Sequence, residues 1–304
     1  MSFATGLKTI VVATELNGRS EAALEYARKL DAAYGARIVL AHGVDPVEYA
    51  AVDEVPGQVL TGLPEQARTV LESLSADLLR EGIHSHSEIR QGEVARMLLD
   101  VARQYDAGLI VIGTKGKEGA GPVIVGAIAE QLVRGAMCPV LAVAADWNAG
   151  EFRPVPGGPV LLAMERNETA AAAAATAYSL ANVFERPLLV LHARTAAEAE
   201  ASVDPCATTN LEEYGIRSTE KLPVHCMVMD GDPVEAVAGG IAENHPCILV
   251  AGVKRASCTP GPHGTAFAMM ARSRVPVLRV RPEAAPAGIR PGACSCTCSC
   301  AGIN

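Results

Sequence analysis

Leu109-Ile110-Val111-Ile112-Gly113-Thr114-Lys115-Gly116 runs from apolar residues straight into glycine, and Gly126-Ala127-Ile128 follows nine residues later. The opening four residues form a continuous apolar run, which reads as a strand buried on both faces. From Ile128 to Met137 the apolar residues recur at helical spacing, and Val140 to Val143 is apolar again. The stretch is therefore strand, glycine-bearing loop, helix and strand, the repeating unit of a parallel α/β sheet. Glycine lets a ligand approach the main chain closely. A helix start offers unpaired N–H groups and a positive dipole end, which suits phosphate. Two common phosphate loops are excluded. Gly116-Lys117 is followed by Glu118 rather than the Ser or Thr of a Walker A loop, and no G-x-G-x-x-G is present.

Working outward toward the start of the chain, Thr9 to Ala13 and Ile38 to Ala41 are further apolar runs, and Ile83 to Ile89 alternates as a less buried strand would. Between them lie three helical patterns. The first has Ser20 as a candidate N-cap, apolar marks at Leu24, Ala27, Leu30 and Tyr34, and Gly35 as its end. After a loop rich in Pro and Gly, the second is marked by Ala67, Leu71, Leu74 and Leu78 and stops at Gly82; the third carries Val94, Met97, Leu98 and Val101. Strands alternating with helices predict a doubly wound parallel sheet, with right-handed crossovers and ligands at the carboxyl ends of the strands. Three stretches lie at those ends: Ala13-Thr14-Glu15, His42-Gly43, and Gly113 to Ile128.

Residues 149–158 are rich in Pro and Gly and read as a linker. Beyond them the pattern restarts. Val160 to Ala163 and Leu188 to Leu191 are strands around the alanine-rich helix from Thr169 to Phe184. Val224 to Met229 is a strand, Gly231-Asp232-Pro233 opens a helix to Asn244, and Ile248 to Ala251 precedes Gly252. Val275-Pro-Val-Leu-Arg-Val280 echoes Cys138-Pro-Val-Leu-Ala-Val143, and His192 closes its strand as His42 does. This is an internal repeat. Its second copy has less chain between the second and third strands, with Pro205 inside it, so the helix there is expected to be short or broken.

Hydrophobic residues make up 49% of the 304, only 4% are aromatic, and the net charge is −8. No basic block suggests nucleic acid, and no apolar run approaches the roughly 20 residues that cross a bilayer. Met1 to Gly6 has no cationic region leading into an apolar one, so a cytoplasmic protein is expected. Cys138, Cys206, Cys226, Cys247 and Cys258 read as reduced, partly buried thiols. Cys294, Cys296, Cys298 and Cys300 alternate near the end of the chain; four thiolates suit a soft metal such as Zn²⁺ or Cu⁺. Their spacing is not that of zinc sites, and a disordered or modified tail competes with the metal reading.

With its three glycines in the spacing G-2x-G-9x-G after the fourth strand, the chain resembles the universal stress protein family in its tandem form. Val11-Val-Ala-Thr-Glu15, His42, Gly92-Glu93 and Cys138-Pro139-Val140 also fit it. The resemblance implies two Rossmann-like, adenine nucleotide alpha hydrolase-like α/β domains, each a five-stranded parallel sheet flanked by helices and related by a pseudo-twofold. These are residues 1–148, the nucleotide-binding candidate, and 159–283, a degenerate copy, followed by the cysteine-rich tail 284–304. It further implies ATP or AMP as ligand. Ala13, Thr14, Glu15 and Gly43 would border the adenosine, Gly113, Lys115 and Gly116 the ribose and phosphates, and Gly126, Ala127 and Ile128 would offer N–H groups to the phosphates. Ala127 stands where the family has Ser or Thr, removing a hydroxyl contact of about 1.5–3 kcal/mol. Lys115 and Lys117 add cations that compensate in part. In the second copy Arg255 replaces the middle glycine and Pro260 and Pro262 stiffen the loop, while Gly264-Thr265 keeps the hydroxyl. That half is not expected to bind ATP in the usual way. The last strands of the copies, Val140 to Val143 and Val277 to Val280, are expected to pair within the chain as an intrachain pseudo-dimer, with a homodimer as a further arrangement.

Three functions compete: a stress-response or regulatory protein binding an adenine nucleotide, a scaffold that binds none, and a thiol or metal module carried by the tail. No catalytic residue is identified, and at most slow ATP hydrolysis is expected. The S-G-G-x-[DS] loop of the related ATP pyrophosphatases is absent, Asn17-Gly18-Arg19 standing in its place.

Overall fold

A computed structural model describes residues 7–16, 20–44, 57–114, 127–144, 158–165, 167–200, 204–253, 265–273 and 275–281. The first half contains β1 (Thr9–Ala13), α1 (Glu21–Tyr34), β2 (Arg37–Val44), α2 (Gly57–Arg80), β3 (Ser85–Gln91), α3 (Val94–Gln104), β4 (Leu109–Thr114), α4 (Ala127–Gly135) and β5 (Val140–Ala144). The second contains β6 (Val160–Ala163), α5 (Ala170–Val183), β7 (Leu188–Arg194), α6 (Ala196–Glu200), α7 (Pro205–Thr208), a 3₁₀ turn (Leu211–Tyr214), β8 (Val224–Asp230), α8 (Pro233–Asn244), β9 (Ile248–Gly252), α9 (Thr265–Arg272) and β10 (Val277–Val280).

All ten strands join one sheet in the order β3-β2-β1-β4-β5-β10-β9-β6-β7-β8. Pairing is parallel within each half. At the centre β5 and β10 pair antiparallel, Leu141 opposite Leu278, as expected for the last strands of the two copies. The central strands are buried on both faces, which is why they read as unbroken Val, Ile and Leu. One face carries α1, α2 and α5, with Leu30, Leu71, Leu78, Ala174 and Leu180 packed on Ile10, Val12 and Val190. The other carries α3, α4, α8 and α9, with Leu98, Leu132, Val237 and Met270 on Val11, Ile110 and Leu249. Each leucine so buried contributes about 1.5–3 kcal/mol.

The two halves share backbone features as well. Gly92 and Gly231 both take positive φ, 125° and 120°, just before α3 and α8, and each donates its N–H back to the end of the preceding strand's neighbour, Val44 O and Arg194 O. The pairs Gly35 and Glu185, Gly82 and Gly215, and Asp106 and His245 share positive φ in the same way.

Three expectations need correction. Helix α2 begins at Gly57, ten residues before Ala67. Leu60 and Leu63 continue the register of Ala67, Leu71, Leu74 and Leu78, so the Gly and Pro content had masked a periodicity already present. Ser20 sits at the N-cap of α1, yet its side chain caps no backbone N–H. Cys206 and Cys226 are joined in a disulfide, while Cys138 and Cys247 are free; the uniform reduced-thiol reading fails for the first pair. Between β7 and β8 the helix is broken as expected. Pro205 starts α7 at a position needing no N–H, and Asp204 caps it by accepting from Cys206 N.

Candidate functional site

At the carboxyl end of β1 the chain turns sharply. Thr14 N still donates to Ala41 O (3.0 Å), continuing the ladder with β2. The Thr14 hydroxyl then accepts from Leu16 N (3.1 Å) and lies 3.0 Å from Ser20 Oγ. Leu16 takes φ 56°, a left-handed conformation costly for a branched apolar residue. Thr14 is 9% exposed, and its hydroxyl is committed to shaping this turn; Glu15 beside it is exposed. The link from Thr14 to Ser20 is a feature that sequence reading missed, although the six-residue spacing from strand end to helix start was the available signal. His42, near the end of β2, places Nδ1 2.8 Å from Thr14 O. A carbonyl only accepts, so Nδ1 carries the proton. The strand was expected to end at His42, but β2 runs on to Val44, so the histidine lies two residues inside it.

Gly43 is held by packing. A Cβ there would lie 2.8 Å from Met97 Cε and 3.0 Å from Val94 Cγ2, so helix α3 accounts for the glycine. On β4, Gly113 pairs with Val143 and Thr114 with Ala144, and the buried Thr114 hydroxyl points to Val143 O (3.5 Å). The next described residue is Ala127, the first of α4; it is exposed, with Ile128 half-buried behind it. The first N–H groups of α4 have no partner within the helix itself. The structure therefore places Ala13, Thr14, Glu15, Gly43, Gly113, Ala127 and Ile128; Lys115, Gly116 and Gly126 lie outside the described residues. Cys294, Cys296, Cys298 and Cys300 also lie outside them, and no cluster of metal-ligating side chains occurs among the described residues.

Strand β1 lies between β2 and β4. The chain leaves β1 for β2 on one side and returns from β3 to β4 on the other. That reversal makes the carboxyl ends of β1 and β4 a topological switch point, the place where doubly wound sheets bind ligands. The equivalent place in the second half carries different side chains. Met164, 7% exposed, stands in the position of Thr14, its N–H donating to Leu191 O (2.9 Å) as Thr14 does to Ala41. Thr169 stands where Ser20 does; its hydroxyl donates to Asn167 Oδ1 (2.6 Å), and a Cβ on Gly252 would meet Thr169 Oγ1 at 2.1 Å. A cavity of about 580 Å³ lies at the opposite end of the strands, where β1 and β2 begin, lined by Lys8, Asp31, Arg37, His84, Tyr105 and Asp106 among others. None of the described sequence-predicted site residues lines it.

The fold defines a doubly wound α/β protein with a topological switch point in its first half. Residues 6–144 match the universal stress protein family. Universal stress protein A homolog 2 of Coxiella burnetii is 30% identical over 141 residues, 45% of this chain and 94% of that protein. A universal stress protein of Methanocaldococcus jannaschii is 28% identical over 138 residues, 45% of this chain and 81% of its own length. Among solved structures, a universal stress protein from Archaeoglobus fulgidus superposes with a TM-score of 0.73 at 17% identity, covering 90% of this chain and 98% of that one. The chain belongs to the universal stress protein family.

Proposed function

We propose that the chain is a stress-response protein that binds an adenine nucleotide, ATP or AMP, at the carboxyl ends of β1 and β4 in residues 1–148. The observation that carries this reading is the meeting of the β1 turn, the Gly113 end of β4 and a long connection leading to α4 at one topological switch point. In this reading Ala13, Thr14 and Glu15 border the adenosine, together with the Gly43 backbone. Gly113, Lys115 and Gly116 approach the ribose and phosphates, and the N–H groups of Gly126, Ala127 and Ile128 receive the phosphates. Residues 159–283 act as a degenerate copy that completes the sheet and holds no nucleotide, a reading supported by Met164 in the place of Thr14 and by the Thr169 side chain packed against Gly252. No residue is assigned a catalytic role.

Ala127 offers no hydroxyl at the start of α4, so the Ala127→Ser variant is expected to tighten binding roughly tenfold, the equivalent of one added hydrogen bond to a charged group. Titration calorimetry with ATP on both proteins, and analysis of nucleotide released on denaturation, check this. Absence of released nucleotide together with no heat at millimolar ATP in either protein would leave the scaffold reading in its place.

A further inference from the structure

The two edges of the sheet are built alike except in one respect. In the first half, α2 lies over β2 and β3, and Ser87 of β3 donates its hydroxyl to the Leu71 carbonyl of that helix (3.4 Å). Ser87 pairs with Leu40, and the same place in the second half, opposite Val190, is Cys226. There the 24-residue helix is missing. Its place is taken by α6, α7 and the 3₁₀ turn, of five, four and four residues. Ile216 and Leu222 still pack into the core, 1% and 3% exposed. Helices this short do not hold themselves together. The Cys206–Cys226 bond, with Cα atoms 5.8 Å apart, ties α7 to β8 at the point where the first half has its hydrogen bond to a long helix. Both cysteines are only half-buried, and β8 is the last strand of the sheet, so a reagent reaches them from the edge.

We propose that Cys206 and Cys226 form a thiol–disulfide exchange site, oxidised in this structure, whose reaction partner is a dithiol and whose reduction frees residues 204–223 from β8. A thiolate of the dithiol attacks one sulfur and forms a mixed disulfide, while the other cysteine leaves as a thiolate and takes up a proton. The second thiol of the reagent then attacks the mixed disulfide. The reagent departs as a disulfide, the second cysteine is protonated, and two electrons have passed from the dithiol to the protein. Opening the 20-residue separation returns loop entropy to a segment with little structure of its own. The oxidised bond holds Ile216 and Leu222 on the core, and reduction lets them leave it. This inference does not rest on nucleotide binding.

The test uses the full chain, air-oxidised or treated with dithiothreitol. Differential alkylation with peptide mapping is expected to find Cys206 and Cys226 blocked before reduction and alkylated after it. Arg217 and Lys221 are exposed within the tied segment, and trypsin is expected to cut there at least tenfold faster after reduction, with the slow rate restored on reoxidation. The C206S/C226S double variant is expected to cut fast without reductant and to ignore it. Both cysteines alkylated in never-reduced protein, equal cleavage rates in the two states, or a dithiothreitol response that persists in the double variant would each overturn the proposal. Because reoxidation is read on the unsubstituted protein, a variant that fails to fold does not blunt the test.

Discussion

In the repeated Pro-Val-Leu-x-Val that forms β5 and β10, the variable position is Ala142 in the first copy and Arg279 in the second. Arg279 is fully buried, and none of its three guanidinium nitrogens has a hydrogen-bond partner among the described residues. Burial, with the charge of Arg281 adding to it, pulls the guanidinium down to about 9. A buried charge without a partner costs more than the apolar side chain that could fill the same space. Arg279→Met is therefore expected to stabilise the protein by on the order of 1–4 kcal/mol, read as a higher urea midpoint at unchanged slope; a lower midpoint would show that the guanidinium is solvated or paired after all. Cys247 makes the opposite case. Its thiol is fully buried beside α1, and burial pushes it from 9.0 up to about 12. A raised folded value means that the unfolded chain loses its proton first. Stability from this group is complete below pH 9 and is lost as pH rises toward 12, a loss on the order of 4 kcal/mol over the full interval. Urea midpoints of the parent between pH 8 and 10.5 should fall more steeply than those of Cys247→Ala, which begins lower but lacks the titrating thiol. Parallel slopes would assign the alkaline loss to other groups, such as Cys138, which burial pushes to about 11.

At the scale of elements, the left-handed residues that end helices show how far the repeat controls the fold. Gly35 ends α1 at φ 64°, and its counterpart after α5 is Glu185 at φ 52°, exposed and carrying a Cβ that this conformation penalises. Glu185→Gly is expected to raise stability by about 0.5–1 kcal/mol, the left-handed strain relieved less the extra freedom glycine gains in the unfolded chain. A thermal midpoint at or below the parent's would mean that Glu185 makes a contact worth more than that strain. The ends and faces of most elements were legible because periodicity reports burial directly. β1 and β6 begin and end where their apolar runs do, α8 runs from Pro233 to Asn244 as its opening Gly231-Asp-Pro implied, and the pairing of β5 with β10 followed from the echo of Cys138-Pro-Val-Leu in Val275-Pro-Val-Leu. The site was legible in outline only. Three glycines marked the loop after β4, but the Thr14–Ser20 contact and the Thr169 side chain over Gly252 depend on which groups the fold brings together across a turn or between strands. The Cys206–Cys226 bond was hidden for the same reason: nothing local distinguishes a thiol 20 positions from its partner until β8 and α7 are placed on the same face.

For the whole molecule, the decisive feature is that the sheet does not stop where the first copy ends. Val140 to Ala144 is buried along its whole length, and β10 lies against it with Leu141 opposite Leu278. The helices on one face close the same gap. Tyr34 of α1 lies 3.4 Å, hydroxyl to hydroxyl, from Ser179 of α5, and Tyr26 packs in one core with Cys247 of the second half. The buried seam is thus covered by the chain's own second half. Residues 1–148 expressed alone would carry β5 as a bare apolar edge, with unpaired N–H and C=O groups in a row, a surface that pairs with another strand whenever one is offered. A second copy of the same edge offers it in the antiparallel geometry that Leu141 and Leu278 already show, and a twofold closes that contact on itself. The first half alone is therefore expected to form a dimer by light scattering while the full chain does not use this edge, and a Leu141→Lys substitution should return the half-length protein to a monomer or leave it unfolded. A half-length protein that is monomeric with an unchanged thermal midpoint would show that β10 adds nothing to the first half, and that the two copies are neighbours in sequence rather than two sides of one core.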